Sequence, residues 1–182
     1  MQGLFDLKGY PTPHSDVVAL MVLEHQAHMT NLITRLGWEA RLAAAEPSED
    51  ASLRVREAAA GMVDYMLFVY EAPLPGPVQG SSGFTAAFAA AGPRDSKGRS
   101  VREFDLRERL FRYPLSYMIY SPAFDALPAA AKDAAYRRMR NILAGREKHA
   151  RYAHLTPPVR QSLIEILGDT KKDLPASFRS SS

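Results

Sequence analysis

The sequence predicts an all-α domain, and three observations carry the prediction. Residues 15–45 and 48–72 hold apolar side chains at helical spacing, prolines fall at the borders of these stretches, and alternating strand-like runs are nearly absent. The expected architecture is a long antiparallel helical hairpin. Three or four shorter helices pack around it, with one irregular Gly/Pro-rich excursion.

The first helix is expected to open on Ser15 as N-cap, with Asp16 favouring the positive helix end. Apolar residues follow at Val17, Leu20, Met21, Leu23, Ala27, Leu32, Ile33 and Leu36. So continuous a series predicts burial on most sides, and Glu46-Pro47-Ser48 ends the helix after Ala45. The second helix is expected from Ser48 or Asp50 to Ala72, where Pro73, Pro75 and Pro77 stop it. Its apolar stripe is Val55, Ala59, Met62, Val63, Met66, Leu67, Val69 and Tyr70. The short polar turn between the two requires antiparallel packing.

Residues 73–83 read as a loop, 84–91 as a short helix, and 92–99 as turn chemistry with a small hairpin or lobe. Residues 101–113 fit a further helix, with 117–120 continuing as helix or extended chain. Ser121-Pro122 is an N-cap followed by proline at the first helical position. A helix is then expected over 128–144 with Gly145 as its stop, and a last one from Thr156-Pro157 to Leu167 with Gly168 after it. No fixed-period repeat occurs. The chain thus reads as one domain over residues 1–179, with 180–182 a frayed tail.

The 182 residues are 46% hydrophobic and 24% charged, which is globular composition. There is no cysteine, which excludes disulfides, thiolate metal sites and covalent haem attachment. No apolar run reaches membrane-spanning length, and no signal peptide is visible. The compartment stays open: periplasmic if the chain belongs to a longer exported protein, otherwise cytoplasmic. Twelve basic and fifteen acidic residues up to Ala131 give −3, whereas eleven basic and five acidic residues beyond it give +6. Aromatics do not interleave with this basic tail section, which argues against a nucleic-acid partner.

One constellation stands out. Glu24, His28, Asn31 and Arg35 share a face of the first helix, and His25 lies beside them. The second helix carries Glu57, Asp64 and Glu71 at seven-residue intervals. In an antiparallel hairpin, Glu24 is expected near Glu71, and His28 near Asp64 and Phe68. One reading is a noncovalent metal or haem pocket built from Glu24, His25, His28, Asp64 and Glu71. Against it, Glu24 to His28 is one residue longer than the Glu-x-x-His of di-iron bundles. The plainer reading is an ion-paired polar core, with Asn31, Arg35, Arg107 and Arg109 as partners. Arg107, Arg109, Arg112 and Tyr113 also suggest a weak anion site with the loop 80–83. No nucleophile–base pair, phosphate loop or metal motif of known spacing is present, so an enzyme is the least favoured class.

Three segments, SDVVALMVLEHQAHMTNLITR (15–35), GPRDSKGRSVREFDLRERLFRYPLSYMIYSPAFDALP (92–128) and AHLTPPVRQSLIEIL (153–167), carry a further resemblance. They resemble the C-terminal region of uncharacterised bacterial cytochrome c-like, haem-associated proteins. The resemblance implies an accessory domain of an electron-transfer system. Haem would be held by a cytochrome c-like partner domain or protein, or bound noncovalently with His25 or His28 as first candidates. The rival expectations are a metal-binding bundle and a structural or protein-interaction module.

Overall fold

The computed structural model describes residues 15–179; the first fourteen residues and the expected tail, 180–182, lie outside them. Among the described residues the regular elements are all helical and no strand forms. The long hairpin is α1 (Val17–Ala45) and α2 (Glu49–Met66). Around it lie α3 (Phe84–Ala90), a 3-10 turn at Tyr117–Tyr120, α4 (Pro122–Asp125), α5 (Ala129–Leu143), a second 3-10 turn at Ala150–Tyr152, α6 (Pro157–Thr170) and α7 (Ala176–Arg179). α2 packs between α1 and α5.

Asp16, not Ser15, caps α1. Its Oδ1 accepts the Val18 and Ala19 N–H groups at 2.9 and 3.1 Å, and its other oxygen accepts Ser82 N–H at 3.0 Å. The carboxylate suits the positive helix end better than a hydroxyl does. It also gathers the loop at Gly80–Ser82, so that loop is bound to the cap of α1, and among the described residues it makes no hydrogen bond to Arg107, Arg109 or Arg112. Arg112 instead pairs with Glu103 at 3.4 Å and lies over Tyr113.

The expectation that α1 is buried on most sides fails. Only the stripe Val18, Val22, His25, Met29, Ile33, Leu36, Gly37 and Ala40 is buried. Leu20, Leu23 and Trp38 are 53%, 58% and 62% exposed, because α2 covers one face of a helix much longer than the short elements around it.

α2 ends six residues before Ala72. Phe68 adopts a left-handed φ of 56°, its N–H bonds Tyr65 O at 3.0 Å, and Val69 N–H bonds Asp64 O at 3.0 Å. This pairing is a Schellman motif, normally made with glycine. The next two carbonyls are also satisfied: Met66 O accepts Ser116 N–H at 2.8 Å, and Leu67 O accepts His154 Nε2–H at 2.7 Å. With those acceptors filled, the helix has no need of the residues up to Ala72. Tyr70 is also left-handed, at φ 68°.

Residues 101–113 form a turned hairpin and not a helix. Phe104 and Phe111 make an isolated antiparallel bridge, Arg112 N–H reaches Glu103 O at 2.8 Å, and Leu106 turns with φ 59°. Asp105 Oδ1 accepts the Arg107 and Glu108 N–H groups, both at 2.8 Å, so a side chain holds the turn in place of helical bonding. The turn at 95–99 is pinned to α6 through Arg99 and Glu165 at 2.6 Å and through Ser96 and Asp169 at 2.9 Å. α6 itself runs through Gly168 to Thr170, beyond its expected stop.

Aromatic rings join these parts. Phe111, 1% exposed, lies 5.2 to 6.3 Å from the rings of Phe104, Phe68, Phe88, Tyr117 and His25. The hairpin is thereby keyed into the α1–α2 core.

Candidate functional site

The first turns of α1 and the irregular segment after α2 enclose a cleft of about 500 Å³. Val17, Leu20 and Met21 form one wall. Phe68, Val69, Tyr70, Leu74 and Leu110 form the other, and Glu24, His25, Tyr65 and Glu71 supply its polar groups. The cleft exists because α2 stops early. The chain then turns twice through left-handed positions, which carries Phe68 inward and Tyr70, 79% exposed, to the rim.

His25 lies beside the floor of the cleft and is 3% exposed. Its ring stacks on Phe68 at 4.7 Å and on Tyr65 at 5.1 Å, and Nε2 shares a 2.7 Å hydrogen bond with Ser116 Oγ. Burial, with a smaller contribution from the His28 charge, pushes His25 down from 6.5 to about 4. The imidazole is therefore neutral at pH 7. Ser116 is fully buried and also accepts Met118 N–H at 3.2 Å. The pair is thus a packed hydrogen bond, not an exposed nucleophile with its base.

Glu24 and Glu71 both line the cleft, on opposite walls. Desolvation, and then the charges of Glu24 and Glu71, push the Tyr65 hydroxyl up to about 12. Partial burial raises the Glu71 carboxyl above its ordinary value. The Leu110 N–H, donating at 3.1 Å, and the nearby Arg109 charge oppose that rise.

Apart from Glu24, whose carboxylate reaches the cleft, the remaining sequence candidates are not among its lining residues. Glu24, His28, Asn31 and Arg35 follow the exposed side of α1, one residue off the buried stripe, so Asn31 and Arg35 are not core partners. His28 lies over Tyr65 at 4.4 Å between ring centres and does not face Asp64. Arg107 is exposed on the hairpin turn. Arg109 alone of the expected arginines acts on one of the named acids. Asp64 belongs to a separate network: it accepts Tyr152 OH at 2.8 Å and pairs with Arg151 at 3.3 Å and Arg138 at 3.6 Å. The five candidate ligands are thus divided among three places: Glu24, His25 and Glu71 at the cleft, His28 over Tyr65, and Asp64 in its own network. Among the described residues no three His, Asp or Glu side chains gather to hold a metal.

His25 does not fit as a haem ligand either. Its Nε2 is engaged by Ser116, and its ring stacks against Tyr65 and Phe68. Met21 lines the cleft as an apolar wall, and Met29 is fully buried. Ser116 and Phe68, which hold and stack on the buried histidine, carry no sequence signal of that role. Among the described residues no helix is long and apolar enough to cross a membrane.

The Asp64 network gives a direct test of an ion-paired role against a metal-binding one. Asp64→Ala leaves Arg138 and Arg151, 20% and 29% exposed, without their shared acid. After discounting for solvent access, the expected loss is about 2 kcal/mol of unfolding free energy by urea titration. Elemental analysis of the wild type and the variant should give the same metal content. A stoichiometric metal lost on substitution would contradict the ion-pair assignment.

No protein-family model, curated protein or solved structure matches the chain.

Proposed function

We propose that the chain is a helical binding module whose working feature is the cleft between the start of α1 and the segment that follows α2. The observation that carries this reading is the shape of that segment. Two bulky residues, Phe68 and Tyr70, are held left-handed where glycine is usual, and both line one cavity. Each such position costs about 1–2 kcal/mol, and strain of this kind is retained where it positions something. An apolar cavity of about 500 Å³ with a few convergent polar groups falls in the size range of small-molecule sites.

Nile red, a neutral fluorophore, tests this. One equivalent is expected to bind with enhanced, blue-shifted emission. Leu20→Asp combined with Leu74→Asp should weaken binding at least tenfold with an unchanged melting temperature, since Leu20 is 53% exposed and Leu74 half-buried. Undiminished binding in the double variant would refute the cleft as the site.

The resemblance to haem-associated proteins extends the proposal to a setting, that of an accessory module beside a cytochrome c-like protein that itself carries the haem. Only the three sequence segments support this extension. Haem titration tests its noncovalent form, which requires a Soret shift that is lost in His28→Ala.

A further inference from the structure

We infer that the cleft selects an organic cation, an ammonium head on an apolar body, over neutral or anionic molecules of the same size. This rests on the cleft being the binding site and adds the class of ligand to that reading.

The walls of the cleft are largely apolar, and no lysine or arginine is among the described residues that line them. Among the described residues the charged ones that line it are Glu24 and Glu71. They come from different elements, one from the second turn of α1 and one from the segment after α2, and both act on the Tyr65 hydroxyl. Their two negative charges therefore face one cavity from two sides, with the Tyr65 hydroxyl within reach of both.

The rings add to this. Tyr65, Phe68 and Tyr70 line the same cavity, and aromatic faces attract cations that are at least partly desolvated. His25 contributes no competing positive charge at neutral pH, since burial keeps its ring neutral. Arg109 and His154 bear on Glu71, and Arg151 on Tyr70, but none of the three is among the described residues that line the cleft. Among the described residues neither Glu24 nor Glu71 makes a salt bridge, although thirteen such contacts occur elsewhere. An anionic ligand would bring a third negative charge to this cavity. A neutral one would leave both carboxylates without a counter-charge inside the cleft.

Displacement of Nile red by three matched probes tests the inference: 4-phenylbutylamine, 4-phenylbutanol and 4-phenylbutyrate, at pH 7.5 and low salt. The amine should displace the dye with an apparent affinity about tenfold above that of the alcohol, and the acid should be the weakest. Glu24→Gln with Glu71→Gln should bring amine and alcohol within about twofold of each other, each referred to the Nile red affinity measured for that variant, and 0.5 M NaCl should reduce the amine's advantage in the wild type. Equal displacement by all three probes overturns the cation preference and leaves the cleft itself standing, as does a preference for the acid. Failure of Nile red to bind the wild type at all overturns both.

Discussion

Lowering the pH from 7 to 4 is expected to remove about 3 kcal/mol of folding stability through His25 alone. The ring is neutral in the folded chain, because burial pushes it from 6.5 down to about 4. In the unfolded chain it takes up a proton near 6.5. Between those two values the unfolded state binds more protons, so stability rises with pH across this window. The contribution is complete above about 6.5, is lost progressively as pH falls, and changes no further below about 4. The comparison that isolates it is wild type against His25→Gln, which retains an N–H for Ser116 and does not titrate. Urea unfolding at several pH values should show the gap between them shrinking by about 3 kcal/mol from pH 7 to pH 4. An NMR titration of the His25 ring near 6.5 in the folded protein would defeat the prediction.

Phe111→Ala should be the most damaging single truncation in the irregular half of the molecule. The ring is 1% exposed and meets five others drawn from α1, the segment after α2, α3, the 103–112 hairpin and the 3-10 turn at Tyr117–Tyr120. Neighbours on so many separate elements cannot all move inward together, so the cavity will stay open. The expected loss is about 3–5 kcal/mol. For a chain of this length that corresponds to a melting temperature lower by roughly 10 °C or more. Phe111→Leu should restore more than half of the loss, since it refills most of the volume without the edge-to-face contacts. A Phe111→Ala protein that melts within 2 °C of wild type would show that the hairpin is not keyed into the core.

The parts of this fold that can be read from the sequence are those where the chain uses its commonest signals. Gly145 ends α5 at φ 71°, with Arg146 N–H on Asn141 O at 3.0 Å, and its position is plain in the residue order. The end of α2 uses the same hydrogen-bond pattern with Phe68 in the glycine's place. No local rule foresees that, because tertiary bonds from Ser116 and His154 complete the cap. The prolines at 73, 75 and 77 mark where a helix must stop at the latest, not where it does stop. Likewise, the apolar residues at 101–113 fit helical spacing. Their hairpin depends on the Asp105 carboxylate bonding its own chain and on Leu106 turning left-handed.

The candidate site was half readable for a related reason. Of the five candidates Glu24, His25 and Glu71 do share one cleft, whereas His28 and Asp64 are not among its lining residues. A helix advances about 100° per residue, so the three positions from His25 to His28 leave their side chains about 60° apart around the axis, enough to put one ring in the core and the other at the surface. Periodicity alone leaves that offset open when apolar residues occur on every side of the helix, as they do in α1.

The rim of the cleft bears on attempts to harden this protein. Replacing Tyr70 by glycine would relax a left-handed backbone and favour the folded state. The same change would strip the aromatic edge from the cavity mouth, so a more heat-resistant chain would be a poorer receptor. Durability and recognition compete at that single residue.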